Sequence, residues 1–131
     1  MKIIVDYPPN FELIKAAFPL VKENVFAYAP DIYNPNKNYL DPIVIKHEEV
    51  HIKQQGDNPE QWWQRYIVDS AFRFSQEAEA YQDQYKNLQK LTKGRTKLFN
   101  WLHTLAKDLS SPVYGSICSY QEAFEVIKSN H

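Results

Sequence analysis

Short apolar segments near the N-terminus give way, after residue 42, to longer segments in which apolar residues recur at helical spacing. Residues 11–18 predict a first helix, with Asn10 as its N-cap and Pro19 as its end. Three segments around it are rich in β-branched and aromatic residues and predict strands: residues 2–6, 24–29 and 31–34. The third of these, residues 31–34, is predicted to be an edge strand. The N-terminal third is therefore expected to contain a small sheet and one helix.

Polar caps followed by proline mark the helix starts farther along. Asp41–Pro42 and Asn58–Pro59 both have this arrangement, which is typical of a first helical turn. Gly56 should end the first of these helices, and the long second stretch should break near Asp69–Ser70. Ser119–Glu122 have the spacing of a capping box. The pattern predicts four helical stretches: residues 42–55, 60–91, 95–109 and 120–128.

The length of the chain, 131 residues, leaves room for a single domain, residues 1–131. Hydrophobic residues make up 44% of the chain and aromatic residues 15%, which is enough material for one core. The predicted fold class is α+β, with a few N-terminal strands followed by helices.

The charge balance favours neither nucleic acid nor an anionic membrane as a partner. There are 15 basic and 16 acidic residues, and the formal net charge is −1. The strongest basic run, residues 92–97, has no interleaved aromatic residues and predicts a solvated loop between helices.

Targeting signals are not evident. Cys118 is the only cysteine, so an intramolecular disulfide cannot form and a reducing compartment is expected. The apolar run before Asp6 is too short for a signal peptide, and no run approaches a membrane span. A cytoplasmic location is the resulting expectation.

The helix predicted at 42–55 carries the sequence HEEVH, residues 47–51. On an α-helix, His47 and His51 differ by about 40° after one full turn, so both imidazoles point the same way. That geometry fits two neighbouring corners of a zinc tetrahedron, and imidazole with carboxylate ligands suits zinc best. Glu48 can then reach a water on the metal without being a ligand itself.

The faces of this helix favour a metal site over a chance match. Lys46, Glu49 and Lys53 form one narrow polar stripe that should face solvent. Apolar residues spread around the rest of the helix, which predicts that it is mostly buried: Ile43, Val44, Val50 and Ile52. Histidines and glutamates in such a helix would be costly without partners.

Three acidic residues are candidates for the third protein ligand that a catalytic zinc needs. Asp57 has the spacing of a third histidine in related motifs, but Gln54 stands where those motifs have a turn-forming glycine. Glu77 and Glu79 lie about 200° apart on a helix, so only one of them can face the metal. Tyr81 shares a helix stripe with Glu77, beside small alanines, which favours Glu77 as the ligand and Tyr81 as its supporting neighbour. Asp57 and Glu79 stay open as alternatives.

HEEVH, followed after 25 residues by "EAEAY" on the next helix, resembles the gluzincin metallopeptidases, whose helix-borne glutamate completes the zinc site. The chain is most similar to small single-domain members from bacteria and phages, the minimal gluzincins included. The resemblance runs from about the second strand to residue 85. It implies a zincin-like fold, in which short N-terminal strands pack on the active-site helix. The larger families of this type often have an acidic residue four positions after the ligand, where this sequence has Tyr81.

The resemblance implies zinc-dependent hydrolysis of a peptide or protein substrate. Zinc would acidify its water and polarise the scissile carbonyl, and Glu48 would move the proton to the leaving amine. In zincin-like folds the substrate lies along an edge strand, for which residues 27–34 are the candidate. Tyr114 is the candidate for stabilising the oxyanion.

Two other interpretations stay open. A latent or noncatalytic zinc protein would have its cleft filled by its own C-terminal segment. An interaction module would use Trp62 and Trp63 to bind a partner protein and would hold no metal. Two further histidines are expected to play no part in the site. His103 should be a core-edge residue with a hydrogen-bond partner, and the terminal His131 should be disordered.

Overall fold

The strands and helices follow one another as expected for an α+β domain. The computed structural model describes residues 1–129, so His131 lies outside the described residues. These residues form three strands, six α-helices and a 3₁₀ turn at Pro112–Tyr114, which confirms the α+β class. The strands are β1 (Ile3–Ile4), β2 (Phe26–Tyr28) and β3 (Asp31–Tyr33). The helices are α1 (Phe11–Ala17), α2 (Pro42–Gln55), α3 (Pro59–Val68), α4 (Ser70–Leu91), α5 (Arg95–Leu109) and α6 (Tyr120–Lys128).

β3 is the central strand of the sheet. It pairs in parallel with β1 and antiparallel with β2. The prediction of an edge strand at 31–34 was therefore wrong, and the complete burial of Ile32 gives the reason. The strand predicted at 2–6 shortens to β1 because Val5 is 54% exposed and has no core to pack on. β2 forms the other edge.

Asn10 does not cap α1 in the way that the sequence predicts. Its backbone, with φ −103° and ψ 24°, is not in the extended conformation that aims a cap side chain at the first helical N–H groups. Both polar atoms of its side chain are buried and have no hydrogen-bond partner within residues 1–129. The helix begins there through backbone hydrogen bonds instead, including Ile14 N–H to the Asn10 carbonyl at 3.2 Å.

The other predicted caps are confirmed. Asp41 accepts a hydrogen bond from the Ile43 N–H at 2.8 Å, and Gly56 ends α2 with φ 61°. Asp69 caps α4, so the long helical stretch breaks where the sequence indicates. Asn58 caps α3, and Ser119 with Glu122 forms the capping box of α6. The basic run 92–97 divides between the α4–α5 connection and the first turn of α5.

Two hydrophobic clusters make up the core, and α4 runs between them. The aromatic cluster joins α1, β2 and α3: Ile14, Phe26, Trp62, Trp63 and Tyr66. The helical cluster joins α4, α5 and α6: Tyr81, Tyr85, Leu88, Leu102, Leu105, Ala106, Leu109, Ala123 and Ile127. Trp62 and Trp63 are only 6% and 8% exposed, so neither offers a surface to a partner protein. Within residues 1–129, no helix combines the length and apolarity that crossing a membrane requires.

Truncating the helical cluster is expected to destabilise the whole domain. Leu109 is fully buried, so Leu109→Ala should lower the free energy of unfolding by about 2–5 kcal/mol through lost burial and a cavity. Leu91 is 72% exposed, and Leu91→Ala should change it by about 0.5 kcal/mol or less. Urea unfolding of both variants measures the difference, and equal losses would contradict this assignment of the core.

Candidate metal centre

The buried face of α2 is polar. His47, Glu48, His51 and Gln55 are buried along it, whereas Val44 is exposed. The helix is mostly buried or half-buried and its charged stripe faces solvent, as predicted. The apolar residues expected to bury it do so only in part, since Ile43, Val50 and Ile52 are half-buried, and polar side chains form the most buried face. Three of the buried side chains recur at four-residue intervals, so they form one stripe, and α2 packs this side against α4 and β2.

Glu77 of α4 meets both histidines across the helix interface. Its Oε1 lies 3.3 Å from His47 Nε2 and 3.1 Å from His51 Nε2. One ligand atom from each of the three residues lies within 4.8 Å of the others, and all three residues are buried. This group could hold a metal ion.

The tautomers of the two histidines suit a cation. His47 Nδ1 lies 2.9 Å from Gln84 Oε1, and His51 Nδ1 lies 2.8 Å from Gln54 Oε1. An amide oxygen only accepts hydrogen bonds, so each Nδ1 carries a hydrogen and each Nε2 faces Glu77 Oε1. Without a metal, a proton on Nε2 makes the contact with the carboxylate. With a metal bound in its place, both Nε2 atoms would offer lone pairs beside the carboxylate oxygen.

Gln54 is fixed in the orientation that this arrangement needs. Its Nε2 donates to the Gln76 carbonyl at 3.0 Å and to Glu79 Oε1 at 2.7 Å. Both partners are acceptors, so the amide oxygen of Gln54 must face His51. Glu79 itself is exposed and lies outside the ligand group. It acts on the site only by orienting Gln54.

Removing the Gln54 amide is expected to weaken the binding of a metal ion to this group without removing a ligand. Gln54→Leu takes away the acceptor that holds the His51 ring, and losing such a partner typically costs about 10–100-fold in metal affinity. Competition with a chromogenic chelator measures the affinity. Gln64→Leu, an exposed glutamine on α3, is the matched control and should leave it unchanged. Equal affinities for the two variants would contradict the role of Gln54.

Tyr66 holds the second oxygen of Glu77. Its hydroxyl donates to Glu77 Oε2 at 2.6 Å, which leaves Oε1 as the atom that faces the histidines. Burial, followed by the charge of Glu77, raises the pKa of Tyr66 well above its usual value, so this hydroxyl keeps its proton. The ring of Tyr66 packs in the aromatic cluster and anchors the carboxylate to the core.

The electrostatics of the group also favour a cation. Burial alone would raise the pKa of Glu77, but the charge of His51 and hydrogen bonds from both histidines lower it well below its usual value. Burial would lower the pKa of His51, but the charge and hydrogen bond of Glu77 raise it to about 9. A carboxylate that stays ionised in the interior needs a positive charge beside it, supplied by protons or by a metal ion.

Glu48 stands beside this group without joining it. Its side chain lines the same cleft, and its carboxylate makes no hydrogen bond with any described residue. Burial raises the pKa of Glu48, an effect that the neighbouring histidines reduce. A buried carboxylate with a raised pKa and an open face can accept and release a proton.

Tyr114 reaches the cleft from the 3₁₀ turn. Its hydroxyl lies 2.6 Å from the hydroxyl of Tyr81, whose ring packs edge-on against His47. The buried guanidinium of Arg73 fixes this turn, because its Nε donates to the Tyr114 carbonyl at 2.8 Å and its Nη1 to the Tyr66 carbonyl at 2.6 Å. Gly115, with φ 84°, lets the backbone approach, since a Cβ there would lie 3.3 Å from Arg73 Nη2.

These residues line one cleft of about 340 Å³. The wall formed by α1, the α1–β2 connection, β2 and α3 includes a large apolar surface, beside which Glu23 and Asn24 are polar: Ile14, Phe18, Leu20, Phe26 and Trp62. The opposite wall is formed by α2, α5 and the 3₁₀ turn: Val44, Asp108, Val113 and Tyr114. The candidate ligands and Glu48 therefore lie where a small or extended molecule can reach them.

Asp57 and His103 lie outside the group. Asp57, a candidate ligand from the sequence, is exposed after the end of α2 and does not line the cleft. The Nδ1 of His103 lies 2.7 Å from the Tyr120 hydroxyl, the kind of partner expected of it, but the residue is exposed on α5 rather than at the edge of the core.

The sequence prediction names Tyr81 as the support of Glu77, but the Tyr81 hydroxyl pairs with Tyr114 and its ring packs on His47, whereas Tyr66 binds Glu77. Three other supporting residues are absent from the prediction. Gln84 lies seven positions after Glu77 on α4, a spacing that places both on one helix face and could have indicated it. Gln54 could have been noticed three positions after His51. Tyr66 carries no such signal, because its contact with Glu77 depends on how α3 packs against α4.

Comparison with known proteins does not assign a function to this site. No family model matches the chain, and neither a curated protein nor a solved structure shows significant similarity to it. Conclusions about function therefore depend on the site itself.

Proposed function

We propose that the protein is a zinc-dependent peptidase of the gluzincin type, with a zincin-like fold. One observation carries the proposal: two imidazoles and a carboxylate converge in a cleft, and an unpaired glutamate lies next to them on the HExxH helix. Three protein ligands with an open side are typical of catalytic rather than structural zinc sites.

Zinc is the metal that the donor set fits best. His47 Nε2, His51 Nε2 and Glu77 Oε1 would hold it, and Gln84, Gln54 and Tyr66 would orient them. Two imidazole nitrogens and one carboxylate oxygen suit zinc better than the oxygen-seeking Mg²⁺ or Ca²⁺. Once bound, zinc would supply Lewis-acid chemistry, acidifying water and polarising a carbonyl.

Glu48 is the proposed general base and acid. Its carboxylate accepts a proton from the attacking water as the new carbon–oxygen bond forms. It then gives that proton to the leaving amine as the peptide carbon–nitrogen bond breaks. The lack of any other hydrogen bond to Glu48 supports this role, since no described residue competes for its oxygens.

Tyr114 is the proposed donor to the developing oxyanion. Its hydroxyl lies in the cleft wall and pairs with that of Tyr81, and burial raises the pKa of both well above the usual value. When Tyr81 is the donor of this pair, the hydroxyl proton of Tyr114 is free to point toward the substrate oxygen.

The charges of the cleft favour peptides over phosphate esters. Besides the two histidines, four lining residues bear carboxyl groups: Glu23, Glu48, Glu77 and Asp108. Phosphate sites use arginine, lysine or helix N-termini, and no arginine or lysine lines this cleft within residues 1–129. A neutral or basic peptide segment fits the site better.

The described C-terminal residues support an open rather than a self-inhibited site. The lining of the cleft extends along the chain only from Ile14 to Tyr114, and α6 packs on α4 and α5 instead. A latent form closed by α6 would place that helix against the histidines.

A mixed peptide library incubated with the zinc-loaded protein tests the proposal. Mass spectrometry is expected to detect new peptide termini, and their formation should stop when a chelator removes the metal. An intact library after prolonged incubation, with zinc shown to be bound, would contradict the peptidase proposal and leave a noncatalytic zinc protein.

A further inference from the structure

Gln55 is a buried polar residue that the proposed reaction does not use. It lies one turn after His51 on the same face of α2 and is only 5% exposed. Its side chain spans two backbone groups of the sheet. Oε1 accepts from the Ala29 N–H at 2.6 Å, and Nε2 donates to the Ala27 carbonyl at 2.8 Å.

Those backbone groups lie on the outer edge of β2. Ala27 is opposite Ile32, whose N–H donates instead to the Lys2 carbonyl on the β1 side. In an antiparallel pair, successive residues alternate between facing the partner strand and facing away from it. Ala27 and Ala29 therefore face away from β3, toward α2. The primary amide of Gln55 takes the place that the backbone of an added strand would take.

The edge stays open on the other side of Ala27. The Ala27 N–H points outward, the Val25 carbonyl lies on the same edge, and neither has a hydrogen-bond partner among the described residues. Glu23, Asn24, Val25, Phe26 and Ala27 all line the cleft, whereas Tyr28, Ala29 and Gln55 do not. Trp63 reinforces the boundary, because its Nε1 also donates to the Ala27 carbonyl at 3.0 Å.

We infer that Gln55 determines how much peptide the cleft can pair with: an extended substrate pairs with Val25 and Ala27 only, and must end or turn away at Gln55. This inference rests on the proposed peptidase function. Gln55 is one helical turn, about 5.4 Å, beyond His51, a distance covered by about two residues of extended peptide. The substrate class is therefore short peptides or chain ends, in which the backbone stops within about two residues of the scissile bond on that side.

Cleavage of a peptide series tests the boundary. The series keeps one cleavable sequence and extends it by one to six residues, separately at each end. In the wild-type protein, extension beyond about two residues at one end should give no gain in kcat/KM. In Gln55→Ala, kcat/KM for the longest of those peptides should rise about tenfold, which is the net contribution of one or two new backbone hydrogen bonds. The shortest peptide should be cleaved as before. Lys53→Ala, on the exposed face of α2, is the matched control.

Hydrogen exchange provides a second measurement that keeps Gln55 in place. The zinc-loaded Glu48→Gln protein should cleave peptide about 10²–10⁴-fold more slowly, so amide protection can be followed by NMR before the peptide is consumed. The Ala29 N–H should be protected before peptide is added and should not change. The Ala27 N–H should gain protection only when peptide binds.

Three results would overturn the inference in distinguishable ways. If kcat/KM rises with extension at both ends of the peptide, in wild type and in Gln55→Ala alike, the boundary at Gln55 is contradicted while the proposed peptidase function stands. Loss of Ala29 protection on peptide binding would show that peptide displaces Gln55. If no peptide of any length is bound or cleaved, the proposed function itself falls, and the inference with it.

Discussion

Replacing His51 with alanine is expected to abolish the binding of about one zinc ion per chain. His51 contributes one of only three protein ligand atoms, so its loss should weaken affinity by more than the roughly 100-fold that losing a supporting residue can cost. Elemental analysis of dialysed wild type and variant measures the metal content. Circular dichroism of the same samples separates loss of metal from loss of fold.

The two glutamates of α4 provide the matched pair for this experiment. Glu77→Ala should lose zinc as His51→Ala does, because Glu77 Oε1 faces both imidazoles. Glu79→Ala should keep a full equivalent, with affinity lowered only through Gln54. Absence of metal from the wild-type protein would contradict the metal centre, and loss in Glu79→Ala alone would contradict the choice of Glu77.

Replacing Glu48 with glutamine should lower kcat/KM for peptide cleavage by about 10²–10⁴-fold, the usual contribution of a general base. Glutamine keeps the shape of the side chain but cannot accept the proton of the attacking water. Zinc content should be unchanged, because Glu48 lies outside the ligand group. A fluorogenic peptide assay, run beside elemental analysis, measures both quantities.

The neighbouring glutamate is the control for that variant. Glu49 is exposed on the opposite face of α2, so Glu49→Gln removes the same charge from the same helix without touching the cleft. Its kcat/KM should stay within about twofold of wild type. Full activity in Glu48→Gln would exclude the proposed base, and equal losses in both variants would indicate a general charge effect.

Local signals in the sequence predict most of the helix boundaries. Asp41, Asn58 and Asp69 cap α2, α3 and α4 as expected, because a cap depends on a few adjacent residues and the backbone they bond. The strands are less predictable, since their position in the sheet depends on distant pairing. The sequence predicts that Ile32 belongs to an edge strand, but β3 is central because it pairs with β1, which begins 28 residues earlier in the chain, as well as with β2.

The candidate site likewise contains residues that local sequence predicts and residues that only the packing of the helices brings together. Four-residue spacing on one helix brings His47 and His51 together, and the choice of Glu77 follows from the stripe it occupies on α4. Gln54, Gln84 and Tyr66 were not predicted, because their roles depend on the packing of three helices. Their side chains also look ordinary in the sequence: a glutamine or tyrosine there is compatible with an exposed or a buried position.

Arg73 restricts how this protein could evolve toward other substrates. It lies one turn before Glu77 on α4 and holds the turn that carries Tyr114. A shift of α4 that widened the cleft on that side would also displace Glu77. Mutations there that admit larger substrates would therefore also disturb a candidate metal ligand. On the other wall Phe18 is linked to the same unit, because its ring packs against Tyr66 and against the Arg73 guanidinium. Leu20 and Val25, in the α1–β2 connection after Phe18, line the cleft without belonging to that unit. Adaptation to new side chains is therefore expected to accumulate in the α1–β2 connection, with α4 left almost unchanged.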